Sequence, residues 1–386
     1  MPHDCVALSY SGGDKLYVPV ENLEVLSRYG SEEGASLDKL GGAAWQTRKA
    51  RMKERIREIA GELIATAALR ALRAADIAQT DSAYNAFADR FPYEETDDQD
   101  RAIDDALGDL SAGKPMDRLI VGDVGFGKTE VALRAAFVAA MAGMQVALVC
   151  PTTLLARQHY TNFAERMRGF PIEVGRLSRL VPAAEAKRTK EGLADGKIDI
   201  VVGTHAILAK GIEFKRLGLV VVDEEQRFGV THKERLKALK TDVHVLTLTA
   251  TPIPRTLQLA LTGVRELSLI TTPPIDRLAV RTYISPFDPV ILREALKRER
   301  YRGGQTYYVV PRISDLDEVS EFLTEAVPEL KVARAHGQLS PTELEDVMTA
   351  FYEGRYDVLL STAIVESGLD VPNANTLIVH RSDMFG

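Results

Sequence analysis

The chain has 386 residues, with 48 Lys and Arg against 55 Asp and Glu, a formal charge of −7 and a hydrophobic share of 45%. That length and balance fit a soluble globular protein of two or three domains and exclude a wholly basic nucleic-acid coat protein. Cys5 and Cys150 cannot frame a disulfide scaffold, the N-terminus lacks an apolar signal core, and no apolar run approaches about 18 residues, so neither secretion nor membrane spanning is indicated. The expected compartment is the cytoplasm.

Residues 5–28 alternate around the turn at 11–14 and predict short strands, too little for an independent domain. Residues 31–42 are polar and Gly-rich and read as a linker. Beyond Trp45, Met52, Ile56, Ile59 and Leu63 recur at helical spacing, with Arg48, Lys49, Arg51, Lys53, Arg55 and Arg57 around the rest. A basic amphipathic helix can grip a phosphate backbone, but a solvated bridging helix is the favoured reading. From about 85 to 270, apolar runs at 118–123, 145–150, 198–203, 217–224 and 243–251 alternate with helical stretches, which predicts a parallel sheet covered on both faces. Consecutive prolines in TTPPID (271–276) mark an interdomain linker. A second alternating series follows at 305–311, 330–337, 356–362 and 375–380. Two α/β domains joined by a short hinge predict a cleft between them.

Gly122, Asp123, Val124, Gly125, Phe126, Gly127, Lys128 and Thr129 fit GxxxxGK[ST] directly after a predicted strand and before a helical pattern. Glycines let backbone N–H groups wrap phosphates, and the following helix N-terminus adds positive potential. Lys128 is the expected partner of the β- and γ-phosphates, and the Thr129 hydroxyl an expected Mg²⁺ ligand. This motif alone does not separate ATPase, GTPase and kinase. Asp223, Glu224, Glu225 and Gln226 end the buried run LGLVVVD, so Asp223 falls at the carboxyl edge of the sheet, where a nucleotide binds. Asp223 is expected to hold Mg²⁺ and Glu224 to polarise the attacking water. Thr249 and Thr251, in TATPIPRT, end another strand; in isolation a Pro-capped turn is the simpler reading.

The phosphate loop, DEEQ and TATP share the order and spacing of superfamily 2 helicases and translocases. PTTLLARQHY (151–160), VGTHAIL (202–208), DEEQRFGV (223–230), TATPIPRTL (249–257) and TAIVESGLDVPNANTLIV (362–379) resemble the motor of the bacterial transcription-repair coupling factor family. RecG-type branch-migrating helicases share most of these motifs. What separates the two is upstream: DKLYVPVENLEVLSRYG (14–30) and LDKLGGAAW (37–45) resemble the end of the coupling factors' RNA polymerase-interacting domain and the segment after it.

The resemblance implies two RecA-like domains behind a β-rich remnant. Residues 1–28 become the polymerase-interacting remnant, 29–84 a linker with the basic helix, 85–271 the ATP-binding domain and 272–386 a helicase C-terminal domain. It implies ATP and Mg²⁺, with Phe91 stacking on adenine and Gln99 reading it. Thr152, Thr153, Gln158, His159, Gly203, Thr204, His205 and Thr362 are implied to face the DNA backbone. Thr249, Thr251, Glu366, Gly368 and Asp370 are implied to couple the nucleotide site to strand movement, and Gly337 and Gln338 match a further family loop. Phosphate contacts of this kind carry no base identity and suit stepping along any sequence. Without the motifs, His159 and His205 read better as ordinary core or surface histidines. No metal-ligand spacing appears among the histidines and cysteines, and Cys150 reads as a small core residue.

The family pattern continues past HRSDMFG with a QxxGRxGR motif whose arginines complete the ATP site. The sequence stops short of it, so the expectation is a motor segment that binds nucleotide better than it hydrolyses it. The implied function is ATP-driven translocation on double-stranded DNA that displaces stalled RNA polymerase. It includes contact with an excision-repair damage-recognition protein through modules outside this sequence. Two alternatives stay open: a RecG-type helicase acting on branched DNA, and a catalytically incomplete polymerase-binding module.

Overall fold

The computed structural model describes residues 4–11, 13–20, 72–209, 211–225, 228, 243–250, 265–274, 280–362, 371 and 373–385, with isolated positions between 39 and 68. The chain divides into two compact units, Met1–Leu69 and Arg70–Gly386. In the first, β1 (Cys5–Ser9) and β2 (Lys15–Pro19) form an antiparallel hairpin with Cys5 opposite Pro19 and Ser9 opposite Lys15. Tyr10 N–H donates to Asp14 O at 2.9 Å and Gly13 takes a φ of +84°, closing the turn expected at 11–14. Met52, Ile56, Ile59 and Leu63, expected on one face of a basic helix, lie outside the described residues.

The second unit carries two parallel sheets. The larger has seven strands, ordered β5-β6-β4-β7-β8-β3-β9. They are β3 (Asp117–Gly122), β4 (Gln145–Val149), β5 (Val174–Leu177), β6 (Ile200–Gly203), β7 (Leu217–Asp223), β8 (His244–Thr249) and β9 (Glu266–Ile270). Every residue of β4, β6 and β8 is buried, as is all of β7 after Leu217, which is why these segments are mostly apolar rather than alternating. The strands β5 and β9 were not foreseen. Both are edge strands, and their half-exposed VGRL and ELSLI lack the continuous apolar signal of the interior.

Five helices accompany this sheet among the described residues: α1 (Ser82–Ala88), α2 (Asp97–Ser111), α3 (Lys128–Met141), α4 (Thr153–Met167) and α5 (Ala183–Asp195). Eleven of the 14 residues of α3, from Glu130 to Ala140, are buried, so small alanines dominate it and let it pack closely on the strands. Phe137 stacks on Phe87 with ring centroids 4.2 Å apart in this core. Full burial of such side chains contributes roughly 1.5–3 kcal/mol each. Helix α2 opens with a capping box, in which the Thr96 hydroxyl accepts from Gln99 N–H and the Gln99 side chain accepts from Thr96 N–H.

The smaller sheet has the order β11-β12-β10-β13, all parallel, from β10 (Thr306–Val309), β11 (Val332–Ala335), β12 (Val358–Ser361) and β13 (Thr376–Val379). Helices α6 (Pro289–Tyr301), α7 (Asp315–Ala326) and α8 (Pro341–Tyr352) alternate with its strands. Its core gathers Tyr308, Leu316, Leu323, Val358 and Leu360. Between the sheets runs the Thr271–Thr272 step before the two prolines, and both residues are held by Asp98 in the first turn of α2. Among the described residues no helix is long and apolar enough to cross a membrane.

Candidate nucleotide site

The carboxyl edge of the larger sheet collects the loops expected to carry chemistry. The phosphate loop leaves β3 and enters α3 at Gly127, which takes a φ of +85°. A Cβ on Gly127 would sit 2.4 Å from Gln99 Nε2, so glycine is required both for the backbone turn and for the close approach of α2. Asp123, Val124 and Gly125 are exposed at the tip, while Phe126, Gly127, Lys128 and Thr129 are half-buried. Lys128 Nζ donates to Gly122 O at 2.7 Å and to Asp123 O at 3.0 Å, folding the ammonium into its own loop. Burial lowers the Lys128 pKa, and the negative charges of Glu224, Asp223 and Asp123 oppose that shift. These acids therefore lie within electrostatic reach of the lysine, although they come from a separate strand or the opposite end of the loop.

Asp223 ends β7 and is only 9% exposed. Glu224, next in the chain, takes a φ of +51°, a left-handed conformation unusual for a residue with a side chain. Its carboxylate is fixed from both sides: Thr249 Oγ1 donates to Oε2 at 3.1 Å and Ala250 N–H donates to Oε1 at 2.9 Å. Backbone strain at a charged residue, held by a buried threonine at the end of β8, is the kind of feature that concentrates at functional sites. Glu225 lies 3.5 Å from Arg265, which also pairs with Asp117. Gln226, Thr251, Glu366, Gly368 and Asp370 lie outside the described residues.

Three expected residues have surroundings that the family resemblance did not imply. Gln99 has both ends of its amide engaged, Oε1 by the Thr96 N–H at 3.0 Å and Nε2 by Phe126 O at 2.9 Å. It joins the start of α2 to the phosphate loop, and each amide atom keeps one further hydrogen-bonding position. Phe91 packs edge-on to Tyr93, with the Arg166 guanidinium 5.7 Å from its centroid. Arg166 in turn binds both oxygens of buried Glu130, at 2.7 and 2.9 Å, one residue after Thr129. His159, expected at the DNA backbone, is 9% exposed, with Nε2 2.9 Å from Asp223 Oδ2; its ring faces the acidic end of β7 and not open surface.

The remaining loop residues cluster along the same edge. Thr152 caps α4 by accepting from Leu155 N–H at 3.3 Å, and Thr153 Oγ1 is buried without a hydrogen-bond partner among the described residues. Gly203 closes β6, where a Cβ would lie 1.8 Å from Leu177 O. Thr204 caps the 3₁₀ turn His205–Leu208, and His205 is exposed while Gln158 is half-buried. A cavity of about 200 Å³ opens beside Thr153, lined also by Arg157, Arg176, Ser178 and, from α8, Thr349. Beside it two ion pairs join the sheets' domains, Arg157 with Glu353 at 2.9 Å and Arg179 with Glu345. Thr362 follows β12 and its N–H donates to Ala335 O at 3.2 Å, while Gly337 and Gln338 are exposed. Cys150 is fully buried, and burial first, then the charge of Asp223, raise its thiol pKa, as suits a core residue.

The phosphate loop after β3, the acid pair at the end of β7 and a second parallel sheet in the same unit fit the two-domain motor of a superfamily 2 helicase, a nucleotide-binding class. Residues 96–260 match the DEAD/DEAH box helicase family, residues 289–384 the helicase conserved C-terminal domain, and residues 1–30 the CarD-like/TRCF RID domain. The chain is 50% identical over 389 residues to the transcription-repair-coupling factor of Rickettsia bellii, covering 100% of this chain and 35% of that protein. It is 49% identical over 382 residues to that of Escherichia coli, covering 98% and 33%. The structure of RecG bound to a three-way DNA junction superposes with a TM-score of 0.70 at 35% identity, over 93% of this chain and 49% of RecG. Over essentially its whole length the chain is similar to transcription-repair-coupling factors, and it spans about a third of the length of these curated relatives.

Proposed function

We propose that the chain is the motor region of an ATP-driven double-stranded DNA translocase that acts on stalled RNA polymerase and couples transcription to excision repair. The observation that carries this reading is the tether of Glu224 to Thr249 and Ala250. It joins the carboxylate placed to act on water to the loop that, by resemblance, responds to nucleic acid.

ATP fits the loop through Lys128 and the backbone amides from Gly125 to Thr129, with Phe91 and Gln99 at the base. The hard oxygen donors Thr129 Oγ1 and Asp223 suit Mg²⁺, which takes few protein ligands and shares the rest with phosphates and water. Among the described residues no three-residue cluster of metal-binding side chains competes with that assignment. Held by Thr129 and Asp223, the cation would supply neutralisation of the negative charge that develops on phosphoryl transfer. Lys128 then leaves the Gly122 and Asp123 carbonyls for the phosphates, and Glu224 orients the attacking water and accepts its proton. Glu225, Gln226 and Thr251 complete the two motifs, and Glu366, Gly368 and Asp370 extend the coupling from the second domain.

Thr152, Thr153, Gln158, Gly203, Thr204, His205 and Thr362 are assigned to the DNA backbone. Residues 1–28 are assigned to polymerase contact, 29–84 to a linker, 85–271 to the ATP-binding domain and 272–386 to the C-terminal motor domain. The compartment is the cytoplasm, where polymerase and DNA meet. Modules outside this sequence are assigned to the damage-recognition partner. The solved complex of RecG with a three-way DNA junction supports a second reading, action on branched DNA.

Release of RNA polymerase halted by nucleotide omission tests the proposal, using the full-length protein and its Lys128→Ala variant. Removing a phosphate-binding charge should cut ATP turnover on the order of 10²–10³-fold or more and abolish release. Release that persists in Lys128→Ala refutes the mechanism. Turnover stimulated by branched but not linear duplex, without release, establishes the second reading.

A further inference from the structure

We propose that His159 is a positioning residue that carries engagement of the α4 N-terminus to the cation-binding carboxylate Asp223. The inference rests on the nucleotide-site reading above and adds a second path out of that site, distinct from the Thr249–Glu224 tether.

The imidazole and the carboxylate are both 9% exposed and 2.9 Å apart. An ionised carboxylate only accepts hydrogen bonds, so the ring donates from Nε2–H to Oδ2. In a buried setting such a charge-assisted bond fixes the carboxylate's rotation and with it the direction in which Oδ1 points. His159 has no other role visible at this edge: it stands off the surface, and the strand end it touches is the one assigned to Mg²⁺.

The ring is carried on a rigid element. Thr152, Leu155 and His159 stand three and four residues apart, so they share one face of α4 over two turns. Thr152 is the cap at the edge assigned to the DNA backbone, and Leu155 is buried in the main core. A phosphate drawn onto the Thr152–Thr153 end displaces or steadies the helix as a body, and the imidazole moves with it. The Asp223 carboxylate is thus oriented by an element whose other end faces nucleic acid. The Thr249 tether acts instead on Glu224, the carboxylate that handles water. One path sets the cation and the other sets the nucleophile.

Two near-isosteric replacements separate positioning from packing. His159→Gln keeps an N–H donor at the reach of Nε2, and His159→Asn keeps only one at the reach of Nδ1. The probe is a fluorescent ATP analogue titrated onto the full chain with and without Mg²⁺, then repeated with linear duplex DNA, after melting curves confirm that each variant is folded. The expected result is Mg²⁺-free affinity within twofold of the parent in both variants. The Mg²⁺-dependent gain in affinity should fall at least fivefold in His159→Asn and stay within twofold in His159→Gln. Duplex DNA should shift the Mg²⁺ midpoint of the parent and of His159→Gln but not of His159→Asn. Asn and Gln variants that behave alike, whether both resemble the parent or both lose the gain, overturn the inference. A parent chain that binds the analogue without any Mg²⁺ dependence overturns the nucleotide-site reading itself.

Discussion

Asp98 sits where the first motor domain hands the chain to the second, and its replacement has a calculable effect. One carboxylate oxygen, Oδ2, accepts from Thr271 N–H at 2.9 Å, Thr271 Oγ1 at 2.8 Å, and Thr272 N–H and Oγ1 at 2.9 Å each. The other oxygen meets Arg101, whose side chain is 74% exposed and adds little. Hydrogen bonds from Thr271, then Thr272, hold the Asp98 carboxyl well below the usual carboxylate range. Four donors on one oxygen do not sum: both threonines are exposed, so water reclaims their groups once the carboxylate is gone. The loss is nearer one strong charge-assisted interaction, about 2 kcal/mol for Asp98→Ala, and about 1 kcal/mol for Asp98→Asn, which keeps a neutral acceptor. For a domain of this size those values lower Tm by roughly 4–8 °C and 2–4 °C. Because the folded pKa is depressed, the stabilisation is complete above the unfolded value of about 3.9 and fades as pH falls through the folded one. Calorimetry at pH 7 should show the graded losses, and the gap between parent and Asp98→Asn should narrow below pH 4. An Asp98→Ala variant melting within about 1 °C of the parent at pH 7, or a gap that widens in acid, refutes the reasoning.

Gly127→Ala should strain a φ of +85° and push a methyl into Gln99 Nε2, lowering affinity for a fluorescent nucleotide at least tenfold; binding within twofold of the parent contradicts the close-approach account. The Arg179–Glu345 pair spans the two domains, with Arg179 half exposed, so Arg179→Glu should change Tm by no more than about 1 kcal/mol's worth. It should nonetheless open the domains, read as a fall in energy transfer between dyes on α4 and α8. The swap Arg179→Glu with Glu345→Arg should restore it, and failure of the swap to restore removes the pair as a restraint.

Interior strands and the phosphate loop were legible because their signals are local. The apolar runs VALV in β4 and LVVV in β7 leave no polar face, so these strands could only be buried, while β8 (HVLTLT) buries its two threonines as well. Edge strands β5 and β9 escaped because an edge needs less apolar surface, and ELSLI exposes Glu266 and Leu269 while burying Ser268 and Ile270. Gln99 shows a different limit. Thr96 and Gln99 already spell a capping box in the sequence, a pattern that states where the side chain goes, whereas the family resemblance drew attention to adenine instead. Asp98 was invisible for the opposite reason: an acid in the first turn of a helix is the ordinary complement of the helix dipole, and nothing local reveals that its partners lie 173 and 174 residues away. His159 combines both difficulties, since a histidine following motif residues reads as one of them until the neighbouring strand is placed.

Strand order explains why the residues assigned to coupling occupy the positions they do. Reading across the carboxyl edge from β6 through β4, β7 and β8 to β3, the loops meet in the sequence Gly203–His205, Thr152–Thr153, Asp223–Glu224, Thr249–Ala250, then Gly122–Thr129. The residues assigned to nucleic acid fall at one end and the phosphate loop at the other. The acids lie between them, and β8 separates the acids from β3. Along this edge a response of the lysine loop to events on β4 and β6 crosses β7 and β8, whose ends are joined by the Glu224–Thr249 bond, while behind the edge Arg166 of α4 binds Glu130 of α3 directly. On the other side of β7, the only element leaving β4 is α4, and His159 is where it touches Asp223. The seven-stranded order thereby makes Asp223 and Glu224 a junction: one carboxylate is held from the nucleic-acid side and the other from the phosphate side.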